Sequence, residues 1–463
     1  MHSITLQEIP YQANSEILFE AVRDLPEAVW LDSGKPRSTQ GRYDIISAAP
    51  DALIETRGNL STVSDSSGTS TSEQDPFELA QQLLEPLQPF DNSLCNSPFV
   101  GGLIGYFGYD LGRRLIDLEE RTASVTSLPD MRIGRYLWAL IVDHSARQCQ
   151  LVFHSHCSEQ LRSQIIQRFT RKPQATTHSD REFSLTEPFK ATLSQQQYQQ
   201  SIRRIKDYIS SGDCYQTNFT QHFSALFKGQ LWSAYLSLRS SVASPYSAFW
   251  QWNDQALLSV SPERFVQSLD NVVETKPIKG TARRGASVAE DQQLSEQLVN
   301  SPKDRAENLM IVDLLRNDLS KNCESGSIAV PKLFELESFA NVHHLVSTVT
   351  GKLADNSSPL DLLRDCFPGG SITGAPKKRA MQIIEELEPV KRSAYCGSIG
   401  YISANNRMDT NIAIRTVIAD GDQLHCWGGG GIVADSEEDR EYQESIDKIS
   451  ALLEALEIFH TPK

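Results

Sequence analysis

The chain has 463 residues, enough for two or three average domains or one large intertwined one, and its 39% hydrophobic and 22% charged content is that of a protein with a sizeable core. A formal net charge of -15 excludes nucleic acid and an anionic membrane surface as main partners, so an anionic ligand must be met by locally concentrated positive charge or by a metal. The eight cysteines include no Cys-x-x-Cys pair, which excludes a disulfide framework or a zinc site, and neither a signal peptide nor an apolar membrane span is legible, so a cytoplasmic location is expected.

In chain order, residues 28–31 and 43–46 read as short strands, and the Ser/Thr/Gly/Asp-rich stretch 61–75 as a loop or hairpin tip. Apolar residues at helical spacing predict a helix over 77–84, and 137–142 with 149–153 predict a hairpin. These belong to an N-terminal domain, 1–168. Residues 169–194 lack periodicity and are expected to be a linker to a C-terminal domain, 195–463.

That second domain opens with a helix over 196–211, which carries Tyr198, Ile202, Ile205 and Ile209 on one face and stops before Gly212. Strands are expected at 255–258 and 265–269, a turn over 276–283 and an amphipathic helix over 303–317. A further helix, 377–387, begins at Pro376. Residues 411–418 and 423–427 alternate like a terminal hairpin, and 438–456 form a closing helix. Without βαβ alternation, the pattern predicts an α+β fold with large antiparallel sheets.

Chemistry concentrates in the second half. Pro277 and Gly280 bracket Lys279, and Arg283 and Arg284 follow; a crowded cationic neighbourhood would keep a lysine partly neutral and nucleophilic, although a turn lysine is also an ordinary surface residue. Glu263, in Ser261-Pro262-Glu263-Arg264-Phe265, follows a strand and suits a general acid if burial raises its pKa; otherwise it is a surface turn. Glu307 and Glu444 lie beside the apolar faces of two helices, where an inward carboxylate pair would suit Mg²⁺. The stretch from Phe367 to Lys377 is a glycine-rich loop opening into a helix, with Ala375 where a phosphate loop requires lysine. Its exposed amides still favour an anion. A second such loop is read at Gly428-Gly429-Gly430-Gly431, and Arg415 is read as a strand arginine. Together these describe a site for a small molecule with at least two carboxylates.

In this order, Ser261-to-Phe265, Asp304-Arg-Ala-Glu-Asn308, Val342-His-His-Leu-Val-Ser347, Pro368-to-Lys377 and Gly428-to-Ser436 resemble the chorismate-utilising enzymes. Leu31-Asp-Ser33, Gly105-to-Gly112 and Leu128-Pro-Asp130 extend the resemblance to the N-terminal half of the amino-transferring members. Within the family, Lys279 between Ile278 and Gly280 resembles the aminodeoxychorismate synthase branch, whereas the anthranilate synthases, the nearest rival, have alanine there. Gln216 stands where the water-using members carry a lysine.

The resemblance implies antiparallel sheets forming a sandwich core flanked by helices, with the two halves intertwined. It implies Lys279 as nucleophile, Glu263 as acid and His344 near the leaving group, with the adjacent His343 structural. Arg415, Thr373, Gly374, Gly429, Gly430 and Lys448 are implied as chorismate-binding residues, and Glu307 and Glu444 as Mg²⁺ ligands. No glutaminase-type Gly-x-Cys-x-Gly elbow is present, so a separate glutaminase subunit is the expected partner. A tryptophan pocket is implied at Ser33, Gln40, Gly41, Arg42, Tyr43, Pro245, Tyr246 and Ser247. A rival of another class is a chorismate- or tryptophan-binding subunit without catalytic activity.

Overall fold

A computed structural model of the chain describes residues 2–38, 40–90, 95–170, 182–338 and 342–460. Two antiparallel sheets, of 13 and 12 strands, carry the fold. The first runs from Ile4–Ile9 through Gln148–His154, Trp138–Asp143, Tyr43–Ser47, Val29–Asp32, Tyr246–Trp252, Gln255–Ser261, Thr416–Asp420, Gln423–Ile432 and Gln216–Lys228 to Ser184–Leu185. The second runs from Ile278–Arg283 through Val342–Lys352, Val272–Thr275, Arg264–Leu269, Met408–Asn411, Ser398–Ser403, Gly102–Phe107, Met131–Tyr136, Ala52–Arg57 and Leu60–Asp65 to Gly68–Ser72. Each sheet takes strands from both halves of the sequence, so the halves are intertwined. One continuous apolar core draws on both sheets, and strands such as Gly102–Phe107, buried at every position, are apolar or glycine throughout because neither face meets water.

Most predicted elements are present. The helix Gln195–Ser210 starts at a capping box between Ser194 and Gln197 and buries Tyr198, Ile202 and Ile205. The helix Pro302–Ser320 is capped by Ser301, with Pro302 in its first turn. Lys377–Leu387 matches its expected bounds, and the polar stretch after residue 60 is a hairpin. Of the expected linker, residues 171–181 lie outside the described residues; Ser184–Leu185 and Lys190–Ala191 pair with the strand Gln216–Lys228.

Three expectations are corrected. The segment around Lys279 is not a turn: Ile278–Arg283 pairs with Val342–Lys352 across a register shift, with Gly280 at φ +78°. The run Gly428–Gly431 is not a loop but part of the strand Gln423–Ile432, paired residue for residue with Gln216–Lys228. A Cβ on Gly428 would meet Ser445 O at 2.1 Å and one on Gly429 would meet Phe219 O at 2.1 Å, so the glycines admit the last helix and the neighbouring strand at close range. Residues 411–418 are not one strand either, because Met408–Asn411 belongs to the second sheet and Thr416–Asp420 to the first.

Candidate active site

The chain crosses between the sheets at two places that matter for chemistry. Gln255–Ser261 lies in the first sheet and Arg264–Leu269 in the second, and Pro262-Glu263 is the crossing. The return crossing, residues 412–415, ends at Arg415, which precedes its strand in the left-handed region at φ +49°. Backbone bonds tie both crossings down: Ile412 N donates to Glu263 O and Val260 N to Arg415 O, each at 3.0 Å. Glu263 and Arg415 therefore sit on rigid backbone at the gap between the sheets.

Glu263 is 6% exposed, and burial raises its pKa to about 7, against the Ser371 hydrogen bond and the Lys279 and Lys448 charges that lower it. Ser371 Oγ donates to Glu263 Oε1 at 2.8 Å. Lys279 comes from the edge strand of the second sheet, and its Nζ donates to Ser371 O at 3.3 Å. Although half-buried overall, Lys279 has its amine deep in the cleft, and desolvation lowers its pKa; Lys448 adds to that, and Glu307, Glu263 and Glu444 oppose it. The expected cause was wrong: Arg283 bonds Glu290 and Arg284 bonds Asp291, so neither arginine charge is spent on Lys279.

Opposite these groups, the helix Glu438–Glu457 packs on the glycine strand. A Cβ on Gly430 would stand 3.3 Å from Glu444 Oε1, 3.3 Å from Lys448 Nζ and 3.5 Å from Glu441 Oε2. Lys448 Nζ donates to Gly429 O at 2.9 Å and pairs with Glu444 Oε1 at 2.6 Å. Lys303 Nζ lies 3.8 Å from Glu307 Oε1 and 4.0 Å from Glu441 Oε1. Burial raises Glu307, against Lys279 and Lys303, and raises Glu441, against a Ser436 hydrogen bond. Desolvation works against Glu444 as well, but the Lys448 charge and hydrogen bond hold it below the usual range. Glu441 escaped the sequence reading, although it sits three residues before Glu444 on the same helical face. Ser371 escaped it inside a loop read for its amides.

His344 is buried beside Lys279's strand, with Nδ1 at 2.9 Å from Thr281 Oγ1. Burial and the Arg415 charge lower it to about 4, so the imidazole is neutral at neutral pH. His343 bonds Ser338 Oγ and Asp291 Oδ1 instead. Among the described residues, the Arg415 guanidinium has no carboxylate or hydrogen-bond partner, and burial lowers its pKa. A desolvated cation without a counter-ion is a site prepared for an anion. Thr373 Oγ1 donates to Gly369 O at 2.9 Å, and Gly374 begins a two-residue pairing with Gln216 and Thr217. Gln216 is fully buried with both amide atoms unpartnered.

A separate cavity of about 370 Å³ is lined by Gln40, Gly41, Arg42, Tyr43, Pro245, Tyr246 and Ser247, with Arg264, Tyr401 and Asp409 among the remaining walls. Ser33 is not part of that wall; its amide and hydroxyl both donate to Asp44 Oδ1 at 2.7 Å. Arg264 faces this cavity while its neighbour Glu263 faces the cleft, as alternation along an extended chain requires.

Residues 26–454 match the family model described as chorismate binding enzyme. The chain is 46% identical over 460 residues to aminodeoxychorismate synthase component 1 of Klebsiella aerogenes, covering 99% of this chain and 100% of that one. It is 45% identical over 448 residues to the protein of the same name from Escherichia coli (strain K12), covering 96% and 97%. The crystal structure of anthranilate synthase component I from Streptococcus pneumoniae TIGR4 superposes with a TM-score of 0.80 at 30% identity, covering 96% of this chain and 99% of that one. Matched by that family model over most of its residues and by relatives over nearly all of them, the chain belongs to the chorismate-binding enzyme family.

Proposed function

We propose that the chain aminates chorismate at C4, as an aminodeoxychorismate synthase component I, giving 4-amino-4-deoxychorismate for p-aminobenzoate and folate synthesis. The observation that carries this reading is the meeting of the Lys279 amine, lowered by burial, with the Glu263 acid, raised by burial, on one residue of the cleft. Oppositely tuned groups side by side each shift toward the uncharged form, the form in which an amine is a nucleophile and a carboxyl an acid.

Neutral Lys279 attacks ring carbon C2. Both ring double bonds shift, the C4–O bond breaks, and Glu263 gives its proton so that water departs. Ammonia then attacks C4, the double bonds return, and Lys279 leaves C2 as a neutral amine. The Glu263 carboxylate takes the proton lost by the new C4 ammonium, which restores the starting state. Arg415 binds a substrate carboxylate, and neutral His344 offers a hydrogen bond near the departing oxygen without competing for its proton.

Glu307 and Glu444 are hard-oxygen donors, and with Glu441 they form an acidic group faced by Lys279, Lys303 and Lys448. A pair of carboxylates suits a cation that completes its shell with substrate and water. Mg²⁺ held by Glu307 and Glu444 would neutralise the ring carboxylate.

Ammonia is proposed to come from a separate glutaminase subunit. Burial raises the thiols of Cys149, Cys157, Cys214, Cys323, Cys366, Cys396 and Cys426, the opposite of what a glutaminase nucleophile needs. Of the described helices none is long and apolar enough to cross a membrane. The second cavity, with aromatic walls at Tyr43, Tyr246 and Tyr401 and charged groups at Arg42, Arg264 and Asp409, suits tryptophan in both its ring and its zwitterion.

The test is incubation with chorismate, Mg²⁺ and ammonium. A non-fluorescent amino product that yields p-aminobenzoate only after a lyase is added supports the reading. Fluorescent anthranilate, or binding of chorismate without turnover, overturns it.

A further inference from the structure

Ser371 makes two contacts of different kind: its hydroxyl donates to Glu263 Oε1 at 2.8 Å, and its carbonyl accepts from Lys279 Nζ at 3.3 Å. We propose that Ser371 is a positioning residue that holds acid and nucleophile in one geometry, its hydroxyl orienting Glu263 and its carbonyl docking Lys279. The inference rests on the amination reading above.

The turn that carries it, Gly370–Ile372, is boxed in. Methyl groups on Gly369 and Gly370 would stand 2.7 Å from Ile412 Cδ1 and 2.5 Å from Leu314 Cδ2. Arg392 Nη1 donates to Ile372 O at 2.9 Å, and its Nη2 reaches Asn218 O at 2.9 Å. Arg392 is itself 1% exposed and paired at 2.6 Å with Glu388 Oε1, which also accepts from Thr220 N and Oγ1 at 2.9 and 2.8 Å. A buried ion pair thus fixes the turn to the strand Gln216–Lys228, and the backbone that carries Ser371 is held in place beside Glu263.

Ser371 is the sole side-chain partner of Glu263 among the described residues, and it takes Oε1, which leaves Oε2 for the departing oxygen. An O–H donor favours the carboxylate over the acid, so the contact strengthens as the proton leaves. The other titratable groups that face Glu263 are Lys279 and Lys448, whose charges act in the same sense, and the Cys396 thiol.

The test compares wild type, Ser371→Ala and Ser371→Thr in the ammonia-dependent assay across pH 5 to 9 (roughly the span around the Glu263 midpoint), with thermal unfolding as a control for folding. Ser371→Ala is expected to lose about tenfold or more in kcat with little change in KM, and the fall of kcat on the alkaline side is expected to move to higher pH. Ser371→Thr, which keeps the hydroxyl, is expected to retain the wild-type limb. An unmoved limb in the folded alanine variant, or an equal displacement in the threonine variant, overturns the proposal. Wild type that makes no amino product instead overturns the amination reading, so the two failures are distinguishable.

Discussion

Gly430 lies directly beneath Glu444 of the last helix: a methyl group on it would stand 3.3 Å from Glu444 Oε1, while its neighbour Gly429 would press a methyl to 2.1 Å from the Phe219 carbonyl. The two positions look identical in sequence and differ in what they touch. Gly430→Ala meets the ends of flexible side chains and is expected to fold with a melting temperature near wild type but with lowered kcat, because the carboxylates and Lys448 must shift. Gly429→Ala meets backbone and is expected to lose about 3 kcal/mol or more of stability. Urea unfolding of both variants, with the assay on the folded one, checks the contrast.

Glu263 links activity to stability. Its folded pKa of about 7 lies above the unfolded value of 4.5, so its contribution to stability is complete below pH 4.5 and is lost as pH rises through 7. Glu263→Gln removes that loss. The variant is expected to be more stable than wild type above pH 8 by up to about 3 kcal/mol, to show no such gain at pH 4, and to be inactive at both. Denaturant midpoints at the two pH values measure it.

Arg415 holds a desolvated charge that no described protein group neutralises. Arg415→Ala is expected to leave the free protein at least as stable as wild type, because the uncompensated cation goes with it. KM for chorismate is expected to rise about tenfold to a hundredfold through the lost charge-assisted contact. A fall in stability with unchanged KM would contradict the assignment.

The second cavity gives a binding prediction independent of turnover. L-tryptophan is expected to raise the melting temperature, and Tyr246→Ala, which opens a wall at some distance in the chain from Lys279, is expected to abolish that rise. A calorimetric titration with no heat at millimolar tryptophan (roughly the weakest affinity worth assigning) would rule the ligand out.

Local signals were legible where local chemistry decides the structure. The helix Lys377–Leu387 was readable at both ends because a proline precedes it and its apolar spacing is helical. Glu263 was readable as a residue at a strand end, but that it lies where the chain leaves one sheet for the other was not, since the sheets are assembled from both halves of the sequence. Four glycines in a row carry no side-chain pattern, so their strand shows only through pairing with Gln216–Lys228 and the helix packed above. The lowered pKa of Lys279 was anticipated from Arg283 and Arg284, which are paired with Glu290 and Asp291; the cause is burial, helped by Lys448 from the far end of the chain.

The most direct measurement is intact-protein mass spectrometry of the chain mixed with chorismate and Mg²⁺ in the absence of ammonia. The account predicts an adduct of chorismate less water that maps to Lys279, is absent in Lys279→Ala, and disappears when ammonium is added as the amino product forms. An adduct that persists in Lys279→Ala, or full turnover by that variant, would contradict it.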